Sequence, residues 1–166
     1  MKQFRTLLLI ALITLGFNSV QAQTKVGHIS TDLLLSLMPE TQALNTELEK
    51  LSKTYEAELK AENAKLEAKL KKYEAESPSQ TDEVNQQRGA EVQQDRQNLY
   101  QASQIAQEDI GKKRDEKLKP ILEKAKKAID EVADEEGFTY VLEASTLIVA
   151  KGTDLLPAVK IKLGIQ

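Results

Sequence analysis

Leucine and tyrosine recur at spacings of three and four along the first half of the chain. Leu44, Leu48, Leu51, Tyr55 and Leu59 are followed, after a gap at Glu62 and Asn63, by Leu66, Leu70 and Tyr73. This period is one face of a long helix carrying a heptad-like seam that is interrupted once. The pattern begins at Glu40, just past Pro39. A sparser seam runs later through Val84, Val92, Leu99, Ala102, Ala106 and Ile110, with eight glutamines between Gln86 and Gln107. Gly89 and Gly111 weaken that helix by ~1 kcal/mol each relative to Ala. It buries little and depends on a neighbour.

Between the two seams lie Ser77, Pro78, Ser79, Gln80 and Thr81. Proline breaks a helix interior, and its neighbours here are turn residues. The spacing predicts an antiparallel helical hairpin over residues 40–119 with its turn at 77–81. At 1.5 Å per residue the outgoing helix is ~55 Å long. An arm that thin has no core and must project from a base. Pro39 and Pro120 are equidistant from the point midway between Ser79 and Gln80. The expectation is that they sit side by side at the root, each marking where its helix passes from arm to base.

The base is assigned to residues 23–39 and 120–166. "KVGHIS" reads as a strand. Thr31-Asp32 is expected to cap a short helix, which Pro39 ends or replaces with the next. Ile121, Leu122, Ala125, Ala128, Ile129 and Val132 form a dense helical stripe, with Gly137 as C-cap. "FTYVLEA" and "TLIVAKG" are expected as a strand pair joined through Ala144-Ser145. The last stretch, "GTDLLPAVKIKLG", is expected as a helix capped by Asp154, with Leu155, Val159, Ile161 and Leu163 apolar. So small a sheet would have open edges, which soluble proteins rarely leave bare. The edges are therefore expected to pair between subunits, with Val26, Ile29, Leu34, Tyr140, Leu142 and Ile148 as residues of the oligomerisation base. The fold class is mainly α with a small β base.

Charge and composition narrow the function. Lys2 and Arg5, the apolar run Leu7–Phe17, and Val20 and Ala22 before Gln23 form a signal-peptide pattern, residues 1–22, cut after Ala22. The run is too short for a membrane span, which needs ~20 apolar residues. An exported, periplasmic protein is expected. Without Lys2 and Arg5, the 23 basic residues of the chain become 21, against 26 acidic ones. That acidity disfavours nucleic-acid binding. There is no cysteine, hence no disulfide. Charged residues are 30% and aromatics 4%, a composition that suits long helices.

No catalytic constellation stands out. His28 is the sole histidine and lies in a predicted strand, where a structural role is expected. Asp130, Glu131, Asp134, Glu135 and Glu136 lie on helix rather than in a calcium loop. "KGTD" at 151–154 lacks the context of a phosphate loop. Neither an enzyme nor a cofactor nor a metal site is expected.

Three pieces carry a resemblance that spans nearly the whole mature chain. They are "KVGHISTDLLLSLMPE", the Lys/Glu/Gln-rich helical middle, and "EEGFTYVLEASTLIVAKGTDLLPAVKIKLG". In this order they resemble the Skp (OmpH-like) family of periplasmic chaperones. The resemblance implies a homotrimer with a small β-barrel-like body from which three helical hairpins hang. It also implies a cavity between the arms that holds unfolded outer-membrane proteins without nucleotide. The chain departs from basic family members in its acidity, with local basic patches at Lys65–Lys72 and Lys112–Arg114, so contact with membrane lipid is left open.

Such clients carry alternating apolar and polar residues and aggregate when unfolded in water. Sparse apolar side chains on long arms would offer many weak contacts that release one at a time. Leu66, Leu70, Tyr73, Val84, Val92 and Leu99 are the candidate client-binding residues. Glu62-Asn63 and Gly111 are candidate bending points. The competing expectation is a structural coiled-coil spacer or tether of the envelope, which would be a continuous rod.

Overall fold

The structure, a computed structural model, describes residues 24–165. The signal-peptide expectation lies outside these residues. The chain is mainly helical with one small sheet. In order it forms β1 (Val26–Ile29), α1 (Thr31–Leu37), α2 (Pro39–Glu76), a 3-10 turn (Ser77–Ser79) and α3 (Asp82–Glu136). Then follow β2 (Tyr140–Glu143), a second 3-10 turn (Ala144–Thr146), β3 (Thr153–Asp154) and α4 (Leu156–Leu163).

Local chemistry explains the boundaries. Ser30, rather than Thr31-Asp32, caps α1, its hydroxyl accepting from Leu33 N. Pro39 opens α2, where its missing N–H costs nothing. Thr81 caps α3 by accepting from Val84 N. Gly137 ends α3 in the left-handed region, φ 71°, where a side chain would be strained. Asp154 Oδ1 accepts from Leu156 N at 2.9 Å, and so steadies the first turn of α4 from one residue outside its cap.

Two further expectations are corrected. α3 runs unbroken through Pro120. Its position is exposed, so the carbonyl that loses its N–H partner can be hydrated instead. The two prolines, however, do not face each other. The bridging pairs Glu76–Arg88, Tyr73–Glu91, Lys69–Asp95, Tyr55–Asp109, Glu47–Lys117 and Glu40–Lys124 are 12, 18, 26, 54, 70 and 84 residues apart. Every one of them is centred on Asp82. The 3-10 turn followed by a separate cap residue shifts the register toward the C-terminal helix, and Pro39 falls level with Ala125.

The second correction concerns the sheet. "TLIVAKG" is not a strand, and β2 has no hairpin partner. The order is β2-β1-β3, with both outer strands parallel to β1. Val26 pairs with Tyr140 and Ile29 with Glu143, while Gly27 and His28 pair with Thr153 and Asp154. After β2 the chain is turned away by its own side chains. Glu143 accepts from Ser145 N at 3.4 Å, and Thr146 Oγ1 donates to Glu143 O at 2.8 Å. Residues 147–152 then cross to the far side of β1.

The core lies where the lower part of α3 meets the sheet, α1 and α4. It contains Ile29, Leu34, Met38, Leu44, Ile121, Ala125, Ala128, Val132, Phe138, Leu155 and Val159. Leu122 and Ile161, expected among the apolar positions, are exposed. Gly27 makes the closest approach. A Cβ there would lie 2.3 Å from Leu155 Cδ1 and 3.0 Å from Phe138 Cε1. Both neighbours are buried and cannot swing aside. Gly27→Ala is therefore expected to cost roughly 1–3 kcal/mol by overpacking, read as a lower urea midpoint with unchanged slope.

Candidate functional site

The candidate site is the arm formed by α2 and α3, together with the exposed face of the body. At 1.5 Å per residue the 38 residues of α2 reach ~57 Å. Along the arm the apolar seam is thin. Leu66 and Val92 are buried between the helices, whereas Leu70, Tyr73, Val84 and Leu99 are half-buried. The six residues proposed from sequence thus all border the seam, and two of them lie inside it. Glu62 and Asn63, at the gap, are exposed.

What the seam lacks in apolar contact is supplied by polar bridges. Lys69 Nζ donates to Asp95 at 2.5 Å and to Glu91 at 2.7 Å. Tyr73 Oη donates to the other oxygen of Glu91 at 2.7 Å. Arg88 pairs with Glu76 at 2.6 Å and lies 4.5 Å from the Tyr73 ring centroid. Further down, Tyr55 Oη donates to Asp109 at 2.9 Å, Lys117 pairs with Glu47 at 2.5 Å, and Lys124 pairs with Glu40. On α2 the bridging residues are 40, 47, 55, 69, 73 and 76. These spacings are sums of threes and fours, so the residues form one stripe. Their partners form the matching stripe on α3, so one edge of the arm carries all six bridges.

The other edge is open. Asn63, Leu66, Glu67, Leu70, Arg96, Leu99, Tyr100 and Ser103 line a groove of about 390 Å³. A second groove of about 220 Å³, nearer the tip, begins at the same Leu70 and includes Asn85, Arg88, Gly89 and Val92. Among the described residues, the one hydrogen bond crossing this edge is Asn85 Nδ2 to Ser77 O, 3.1 Å, at the tip. Tyr100 and Ile105 are exposed large apolar residues of the arm, 67% and 63% accessible, and were missed from sequence. The available signal was that neither falls on the three-four seam of α3.

The body also has an apolar surface. Val26, Tyr140 and Leu142 are exposed, and Ile148 is fully so. Ile29 and Leu34 instead belong to the chain's own core. A cavity of about 570 Å³ beside β2 is lined by Ile29, Thr31, Ile129, Ala133, Phe138, Val141, Leu142 and Glu143, among others. Burial disfavours the Glu143 charge, yet hydrogen bonds from Thr31 N and Oγ1 hold its pKa below the ordinary value. Among the described residues no cluster of His, Cys, Asp and Glu could hold a metal, and no helix is long and apolar enough to cross a membrane.

Fold and surface together define a class: a long two-helix arm on a small parallel-sheet body, with apolar side chains exposed on both. A family model described as outer membrane protein (OmpH-like) matches residues 25–163, and the chain belongs to this OmpH-like family. Its fold is similar to that of a Caulobacter crescentus crystal structure described as a candidate outer membrane chaperone (OmpH-like). The TM-score is 0.75 at 19% identity, over 86% of this chain and 85% of that one. No curated protein matches the chain.

The bridges make the arm acid-sensitive. Hydrogen bonds from Lys124, Lys117 and Lys69 hold Glu40, Glu47 and Glu91 below the ordinary 4.5. A carboxylate with a depressed folded pKa stabilises the fold fully above its unfolded value and loses that contribution as pH falls through the folded one. Lys69, raised first by Asp95 and then by Glu91, loses its contribution only above pH 10.5. Amide exchange corrected for intrinsic rates should therefore show the arm around Lys69 and Asp95 less protected at pH 3 than at pH 6. The core around Val159 should change less, and Glu91→Gln should flatten the arm's response.

Proposed function

We propose that this protein is a nucleotide-independent holdase of the periplasm. It would keep unfolded outer-membrane proteins from aggregating by holding them between helical arms. The observation that carries this reading is a long arm with no interior, whose seam is half polar and whose open edge and outer faces carry isolated apolar side chains. Such a surface offers many weak contacts and no single tight site, as a holder of diverse unfolded chains needs. Family membership and the fold of the Caulobacter protein support the same reading.

An enclosure needs more than one arm. The exposed Val26, Tyr140, Leu142 and Ile148 support self-association through the body, and a homotrimer is the assembly proposed. The unpaired edge of β2 and the irregular apolar stretch Leu147–Ala150 support strand pairing between copies, which would complete a barrel-like body. The proposed parts are then a body of residues 23–39 and 120–166 and an arm of residues 40–119. The reversal at Ser77–Ser79 favours an enclosing arm over an envelope spacer, for which a straight rod would serve better.

Two measurements on the same sample test this. The mass in solution is expected to be three times that of one mature chain. A urea-unfolded outer-membrane barrel diluted into the protein is expected to stay soluble without ATP. A monomer that leaves the barrel to precipitate would refute the proposal.

A further inference from the structure

The two edges of the arm differ in a way that assigns them different work. The bridged edge is closed by the ion pairs and hydrogen bonds that set the register of α2 and α3. On that edge the space lined by Leu66, Lys69, Asp95, Asn98, Leu99 and Ala102 shares the apolar Leu66 and Leu99 with the other edge, but a guest entering it would have to displace Lys69 from its two carboxylates. The larger groove of the open edge asks for no such displacement, and the smaller one touches the bridges only where Tyr73 and Arg88 border it. The two grooves are lined by Leu66, Leu70, Leu99 and Val92, and they meet at Leu70.

We propose that the open edge is the client-binding face, and that each of its two grooves takes single aromatic side chains of an unfolded polypeptide. This deepens the holdase reading and rests on it. Three observations select that occupant. The volumes, about 390 and 220 Å³, suit separate side chains rather than a continuous helix or strand. Each groove combines an apolar floor with a tyrosine and an arginine, Tyr100 with Arg96 in the larger and, in the smaller, Tyr73 with Arg88, which already pack on each other and bridge to Glu91 and Glu76. Aromatic rings stack on tyrosine edges and under guanidinium groups, which gives an aromatic guest more than its area alone. Finally, the Tyr100 ring is exposed at the margin of the larger groove without a partner in the described chain to cover it. Outer-membrane barrel strands supply such guests, since they end in aromatic girdles.

The grooves can be filled without breaking the arm. A Cβ at Gly89 meets nothing within 4 Å, and leucine there would also favour helix. Ser103 lines the larger groove and Gly89 the smaller. The test variant is the full mature protein with Gly89→Leu and Ser103→Leu. The control is Asn98→Leu, which fills the bridged edge. The probes are a fluorescently labelled, urea-unfolded outer-membrane barrel and two 20-residue peptides, one alternating Phe and Ser and the other Val and Ser.

The double variant is expected to bind the barrel about tenfold more weakly, the loss of roughly one buried side chain's contact. Asn98→Leu should stay within about twofold of the parent. The parent should prefer the Phe peptide, and the double variant should lose that preference. Equal binding by the double variant, an equal loss in Asn98→Leu, or no preference for Phe would each overturn the assignment of the edge. Melting temperatures at or above the parent's exclude unfolding as the cause. If the parent itself fails to keep the barrel soluble, the holdase reading falls, and this inference falls with it.

Discussion

The register in which α2 and α3 meet is the constraint on which the rest of the molecule depends. A two-helix arm has no interior, so hydrophobic burial alone cannot choose one alignment over another a turn away. The choice is made by pairs that reach across one edge, from Glu76–Arg88 near the tip to Glu40–Lys124 at the root. Exposed ion pairs contribute little one at a time. Four of them and two tyrosine hydrogen bonds in one register select the alignment because every slip breaks all six together. Concentrating them on one edge gives the arm a bridged side and a more open one.

The body solves a different problem. β1 comes before the arm and β2 and β3 after it, yet all three run parallel in one sheet. Closing the chain across the arm in this way clamps its two roots side by side. Gly27 lets Leu155 and Phe138 lie directly on the central strand, and Lys25 Nζ donates to the Glu136 carbonyl at the end of α3. The arm is thus held at its base by a small apolar core and along its length by a thin apolar seam flanked by polar bridges.

The helical parts were legible in the sequence because a period repeated over many turns is hard to mistake. The Leu44–Tyr73 stripe, the break around Pro78 and the Gly137 cap all rest on such local chemistry. The sheet was less legible. Strands of four and two residues carry almost no period, and the apolar run Leu147–Ala150 looked like a strand because its β-branched residues favour one, although the single chain offers it no partner. The expected pairing of Pro39 with Pro120 failed because the turn and its cap shift the register to Asp82. In the candidate site, periodicity locates the seam and so draws attention to Leu66 and Val92, which the structure buries between the helices. Tyr100 and Ile105 escape the same search because they are off the seam, which is also why they are exposed.

The doubling-back of the chain in the register centred on Asp82 is tested most directly by the distance between spin labels at Lys60 and Gln104, two exposed positions equidistant from it. Labelled subunits would be diluted among unlabelled ones, so that only distances within one chain are read. The account predicts a separation under about 20 Å, across two adjacent helices. A continuous rod would place the labels ~66 Å apart at 1.5 Å per residue, and a peak there would contradict it.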